Sequence, residues 1–153
     1  MIINSKDLLS LITICLCYCP VLSQEYSREF GNVSRFEAQL ESFDKDPEAE
    51  AVIFYDIGES YFYDTEDGGY NIRFTRSKRI KIFEHSGVKY SEITIPYYVD
   101  GYGRTEVVQS ISATSYNFDD GIPTLTKLDP STIYEEKLND QLYAKKFAIP
   151  KIQ

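Results

Sequence analysis

Hydrophobic and polar positions change rhythm three times along this chain. From Leu8 to Leu22 the residues LLSLITICLCYCPVL form an uncharged apolar run, shorter than the roughly 20 residues that a spanning helix needs. Its length, its break at Pro20 and the following Val21-Leu22-Ser23 predict a secretory signal peptide over residues 1–23, cleaved between Ser23 and Gln24. Lys6 is offset by Asp7 ahead of this run, so an uncleaved anchor is the competing reading. A lipoprotein signal fits less well, because Cys17 and Cys19 follow Leu16 and Tyr18 rather than a small residue.

The second rhythm is brief. In the segment 24–46, Ser34-Arg35-Phe36-Glu37 matches the S-x-x-E capping box, and Phe36 and Leu40 stand at helical spacing. A short helix is expected after Ser34. Phe43-Asp44-Lys45-Asp46-Pro47 stops it, since proline and the residue before it resist helix continuation.

After Pro47 the period is two. Ala51–Ile57 is almost continuously apolar, which predicts a strand ended by Gly58, with Glu59–Asp64 as a partner strand. Thr65-Glu66-Asp67-Gly68-Gly69 predicts a hairpin turn. From Tyr70 to about Glu84, Ile72, Phe74, Ile80 and Ile82 share one parity, the alternation of a half-buried strand. Arg76 and Lys78 interrupt that parity and predict a bulge or an edge. His85-Ser86-Gly87 reads as a turn, and Glu92–Val99 as a strand placed at an edge by Pro96. After the loop Asp100–Gly103, strands are expected over Glu106–Phe118, Ile122–Leu128 and Leu142–Ile149, with Asp119-Asp120-Gly121 as a hairpin turn. The fold class is therefore mainly β: an antiparallel β-sandwich of about seven strands over residues 47–153, preceded by a short helical segment.

Composition narrows the function classes. The 153 residues hold 16 Lys+Arg against 24 Asp+Glu, a net charge of −8, which suits one domain and disfavours nucleic acid as a partner. With 42% hydrophobic and 26% charged residues the chain is an ordinary globular one, which excludes wholesale disorder and a multi-span membrane protein. Cys15, Cys17 and Cys19 are its three cysteines. If they leave with the signal peptide, the mature chain has no disulfide, thiolate nucleophile or Cys-ligated zinc. A cysteine-free export product suggests a bacterial envelope protein.

Candidate chemistry is sparse. His85, the single histidine, reads as solvated surface and not as a catalytic base. Asp64, Glu66 and Asp67, and separately Asp119 and Asp120, miss the D-x-[DN]-x-[DN]-G calcium pattern and read as turn residues. No catalytic residue, metal site or cofactor is expected. Arg73, Arg76, Lys78, Arg79 and Lys81 put five positive charges on one strand. They are the candidate patch for an anionic ligand such as an envelope glycan, against the plainer account of cross-strand pairing with carboxylates. Tyr61, Tyr63, Tyr97, Tyr98 and Tyr102 could form a sugar-stacking platform, although strand propensity also explains them. Catalysis by Asp56 with Asp64 is a third, weaker reading. Asn32-Val33-Ser34 matches a glycosylation sequon, without meaning in a bacterial chain.

Several stretches together carry a resemblance. They are Gly31-Asn32-Val33-Ser34, Asp46-Pro47-Glu48-Ala49-Glu50-Ala51-Val52-Ile53-Phe54-Tyr55-Asp56, Arg79-Ile80-Lys81-Ile82-Phe83, Ile95-Pro96-Tyr97-Tyr98, Ala113-Thr114-Ser115-Tyr116-Asn117 and Lys146-Phe147-Ala148-Ile149-Pro150. In this order, from about Tyr26 to Pro150, the chain resembles the domain of unknown function that lies N-terminal to transglutaminase-like domains in exported Bacteroidota proteins. The resemblance implies a further strand and then a papain-like domain with a Cys-His-Asp triad beyond Pro150, so the β domain is expected to be incomplete at that edge. It carries no catalytic residue onto this chain. The expected protein is thus a non-catalytic accessory or interaction domain, exported to the periplasm, the outer membrane or the medium. The expected partner is a downstream transglutaminase-like domain, with an anionic-glycan binder as the alternative.

Overall fold

The structure, a computed structural model, describes residues 27–102, 104–119 and 122–152. The expected signal peptide with its cysteines, the cleavage point at Ser23 and Gln24, Gly103 and the Asp120-Gly121 part of a turn lie outside the described residues.

The capping box forms as the sequence predicts. Helix α1 spans Arg35–Gln39, with Ser34 as an extended N-cap. Ser34 Oγ accepts from the Glu37 backbone N–H at 3.2 Å, and Glu37 Oε2 accepts from the Ser34 N–H at 2.7 Å. Each side chain so satisfies an amide that the helix itself leaves open.

Strands β1 (Ala51–Asp64) and β2 (Tyr70–Ile82) form a long antiparallel ribbon, running from Ala51 opposite Ile82 to Asp64 opposite Tyr70. The turn between them is the expected one. Thr65 N–H donates to Gly69 C=O at 2.9 Å, and Gly68 has φ +81°, a value glycine adopts without a Cβ clash. Two expectations fail within the ribbon. Gly58 does not end a strand, and Glu59–Asp64 continues β1 instead of pairing with it. The physical reason is cross-strand cover: a Cβ at Gly58 would lie 2.7 Å from Phe74 Cε2, so the Phe74 ring fills the space that glycine leaves in the strand. Of the bulge or edge expected at Arg76 and Lys78, the edge holds, since β2 pairs with β1 alone, while the register shift falls between Ile53 and Tyr55.

The His85-Ser86-Gly87 turn extends into a 3₁₀ helix over His85–Ser91. Beyond it, β3 (Glu92–Tyr98), β6 (Tyr134–Lys137) and β7 (Leu142–Ala148) form a sheet in the order β3-β7-β6. Pro96 does sit on an edge strand, where its missing N–H costs no ladder bond. The sequence reading missed β6, whose residues YEEK lack apolar alternation. Its pairing comes from β7: Lys145 Nζ meets Glu135 at 3.5 Å, and Lys146 Nζ meets Glu136 at 2.7 Å.

Strands β4 (Thr114–Asp119) and β5 (Ile122–Lys127) make a second hairpin. The long strand expected over Glu106–Phe118 is shorter than predicted. Ser110 has φ 58°, a left-handed conformation that breaks the extended run before Thr114. Tyr116 Oη donates to Gly31 C=O at 3.0 Å, and Asn117 Nδ2 donates to Lys151 C=O at 2.5 Å, linking β4 to both ends of the described chain.

Among the described residues, seven antiparallel strands and one short α-helix make a mainly-β, sandwich-like fold, as the alternation predicts. Among the described residues the buried apolar side chains are Tyr97, Ala144 and Phe147, all in the β3-β7-β6 sheet. That core is small, and much of the apolar surface elsewhere faces solvent.

Candidate functional site

Because side chains alternate along a strand, the β1–β2 ribbon has two chemically different faces. One carries Arg73, Arg79 and Lys81 on β2; the other carries Arg76 and Lys78. The five candidate cations are therefore divided between opposite faces and do not converge on one patch.

Their partners differ as well. Arg79 is enclosed, with a side chain 12% exposed against a Glu37 side chain that is 1% exposed. Its Nη1 donates to Glu37 Oε1 at 2.8 Å and to Ser27 C=O at 3.0 Å, while Nη2 donates to Glu29 C=O at 2.9 Å. The guanidinium carbon also lies 5.0 Å from the Tyr55 ring centre. Lys81 Nζ donates to Ala38 C=O at 3.0 Å, and burial pushes its pKa down. These two residues hold the N-terminal segment against β2 and are spent as ligand contacts.

Arg76 grips Asp56 with two bonds of 2.6 Å, from Nε and Nη2. The hydrogen bonds from Arg76 hold the Asp56 carboxyl below its usual range. Lys78 is exposed opposite Asp56. Arg73 donates to Tyr61 Oη at 3.3 Å and lies 5.1 Å from the Tyr63 ring centre. Arg76 thus makes the expected cross-strand pair with a carboxylate, Arg73 pairs across the strands with a tyrosine, and Arg79 and Lys81 turn to the N-terminal segment instead.

The tyrosines do not form one platform. Tyr61 and Tyr63 stand on β1 around Arg73, whereas Tyr97 and Tyr98 stand on β3, and Tyr97 is buried. Asp56 and Asp64 sit at positions eight residues apart on one strand, roughly 26 Å at strand rise, too far for a cooperating carboxylate pair. In the first acidic cluster, Asp67 accepts from Thr65 Oγ1, which in turn accepts from the Gly69 N–H at 3.0 Å. That is turn chemistry. His85 is exposed at the start of its 3₁₀ helix. Among the described residues no group of three or more His, Cys, Asp or Glu side chains could hold a metal ion, and no helix is long and apolar enough to cross a membrane.

A shallow cleft of about 250 Å³ lies over the middle of the ribbon, between Arg28 and the row Tyr55, Ile57, Glu59, Thr75 and Ser77. It brings together two cations, Arg28 and Arg76, and one carboxylate, Glu59.

The most distinctive surface is one that the charge pattern hides. Phe62, Tyr70, Ile72 and Phe74 occupy successive rows of one face near the turn, and they are 73%, 74%, 65% and 63% exposed. Parity places Ile72 and Phe74 on the buried side of a half-buried strand, yet only the Ile80 and Ile82 end of that side is partly covered. Four adjacent apolar side chains in water form one contiguous patch, of the kind that often marks an interaction site. The only signal for it in the sequence is the shared parity of Ile72 and Phe74, since Phe62 stands in an uninterrupted aromatic run. Comparison with family models, curated proteins and solved structures finds no match to this chain.

Proposed function

We propose that this chain is a non-catalytic accessory domain of an exported transglutaminase-like envelope protein, and that it works by holding another protein surface against its β1–β2 ribbon. The observation that carries this reading is the exposed row of Phe62, Tyr70, Ile72 and Phe74, fixed on a paired ribbon instead of a loose loop. Burying such side chains is worth roughly 25 cal/mol per Å² of apolar area, so the face favours any partner that dries it. Rigid strands also keep the ordering cost of binding low.

The family part of the proposal rests on the motif order from Gly31-Asn32-Val33-Ser34 to Lys146-Phe147-Ala148-Ile149-Pro150. It is tested at the coding locus. A transglutaminase-like domain with Cys, His and Asp, in frame or in an adjoining gene, supports the accessory role. A locus carrying no such domain overturns it.

A further inference from the structure

The side-chain order along the apolar ribbon face identifies the surface that complements it. We propose that two copies of this chain stack these faces antiparallel about a two-fold axis, making a homodimer through β1 and β2. This inference rests on reading the face as an association surface, and it names the partner.

From the turn inward, the face runs Asp64 beside Tyr70, then Phe62 beside Ile72, Ser60 beside Phe74, and Gly58 beside Arg76. Rows on one face recur every second residue, so these four rows span roughly 20 Å. A carboxylate stands at one end, a guanidinium at the other, and apolar side chains between. A two-fold axis crossing the strands between the second and third rows carries the first row onto the fourth row of the second copy. Phe62 and Ile72 then meet the row of Ser60 and Phe74, while Asp64 and Tyr70 meet the row holding Arg76. Both charged ends are satisfied at once, by a carboxylate–guanidinium contact and by a guanidinium over a tyrosine ring. Arg76 has the capacity for this, because Asp56 engages Nε and Nη2 and its side chain is 58% exposed. The alternative axis, along the strands, would place like charges in one row, and charge order therefore selects the antiparallel arrangement.

Area supports the same occupant. At the observed exposures, the four apolar side chains offer on the order of 500 Å² per copy, given the 150–250 Å² of an aromatic side chain. Two copies bury about 1,000 Å², near the lower bound for a specific interface. An isologous contact of that size fits a reversible dimer.

The test is sedimentation equilibrium of the purified protein across the micromolar range, with circular dichroism to report the fold of each variant. A reversible monomer–dimer equilibrium is expected. Combining Phe62→Ser with Ile72→Thr should raise its Kd about tenfold or more. Asp64→Arg and Arg76→Asp should each weaken the dimer alone, while an equimolar mixture of the two should restore it. Ser60→Lys, a change at an exposed position, should also disrupt the dimer, and it keeps the test decisive if Arg76→Asp fails to fold. A protein that stays monomeric throughout, a dimer indifferent to these changes, or a mixture no tighter than its components overturns the proposal. A monomer that binds a hydrophobic dye at this face, losing it with Phe62→Ser and Ile72→Thr, overturns the second copy but leaves the association surface standing. A monomer without such dye binding overturns both.

Discussion

Arg79 Nη1 lies 2.8 Å from Glu37 Oε1, and this enclosed ion pair fastens helix α1 to strand β2. Glu37 serves two neighbours, since its Oε2 also accepts the Ser34 N–H that completes the capping box. The same carboxylate thus closes a local motif and makes a tertiary contact between residues 42 positions apart.

Removing one partner from this pair leaves a buried charge without compensation. Arg79→Met is therefore expected to lower stability by about 3 kcal/mol, because it also removes the bonds to the Ser27 and Glu29 carbonyls. Glu37→Gln should cost less, as its amide oxygen can still accept from Ser34. Urea denaturation followed by tyrosine fluorescence checks both. Equal stability of Arg79→Met and the parent protein would show that the pair contributes nothing to holding α1.

Acid should release the same contact. Burial pushes the Glu37 carboxyl up, but hydrogen bonds from Arg79 and Ser34, with the charge of Arg79, outweigh it and hold the pKa below its ordinary 4.5. A carboxyl with a lowered folded pKa contributes stability above its unfolded value, and that contribution is lost as pH falls through the folded value. Docking of α1 is thus expected to weaken progressively below about pH 4.5. Hydrogen exchange of residues 34–40 measures it, and Glu37→Gln should flatten the dependence.

Two glycines should respond oppositely to alanine. A Cβ at Gly87 would lie 2.6 Å from the Glu50 carbonyl oxygen and 3.1 Å from Ile82 Cγ2, so a backbone atom would have to move. Gly87→Ala is expected to destabilise by about 1–3 kcal/mol. At Gly58 the obstacle is the far end of the exposed Phe74 ring, which can swing away. Gly58→Ala should fold with a change within about 0.5 kcal/mol. Thermal melts of the two variants, side by side, decide the matter.

One tyrosine should titrate late. The hydrogen bond to Glu135, then burial, and the negative charge of that carboxylate push the Tyr97 pKa up to about 12. A raised folded pKa contributes stability below the unfolded value near 10.0, and that stability fades as pH rises through about 12. Absorbance at alkaline pH should therefore show one phenol ionising after the others, and this late step should vanish in Tyr97→Phe. A late step that persists in that variant would move the effect to another residue.

Where the sequence was legible, the relevant interaction was local. The Ser34-x-x-Glu37 box, the Thr65–Gly69 turn and the edge position of Pro96 each depend on backbone rules acting over a few residues, and all three stand in the structure. Legibility ended where the deciding partner was distant. Gly58 reads as a terminator until Phe74 is seen above it, and β6 has no alternation of its own until Lys145 and Lys146 pair with its glutamates. The shortening of β4 likewise turns on the backbone at Ser110, a residue type that does not announce a left-handed conformation.

The cations show the division most clearly. Sequence by itself determined a mainly-β, antiparallel chain and placed Arg73, Arg76, Lys78, Arg79 and Lys81 on a single strand, because alternation and turn chemistry are short-range properties. Only the tertiary structure decided what those charges do. It set Arg79 on Glu37, Lys81 on Ala38 and Arg76 on Asp56, and it left Phe62, Tyr70, Ile72 and Phe74 exposed, because ion pairing and burial depend on which distant segments folding brings together.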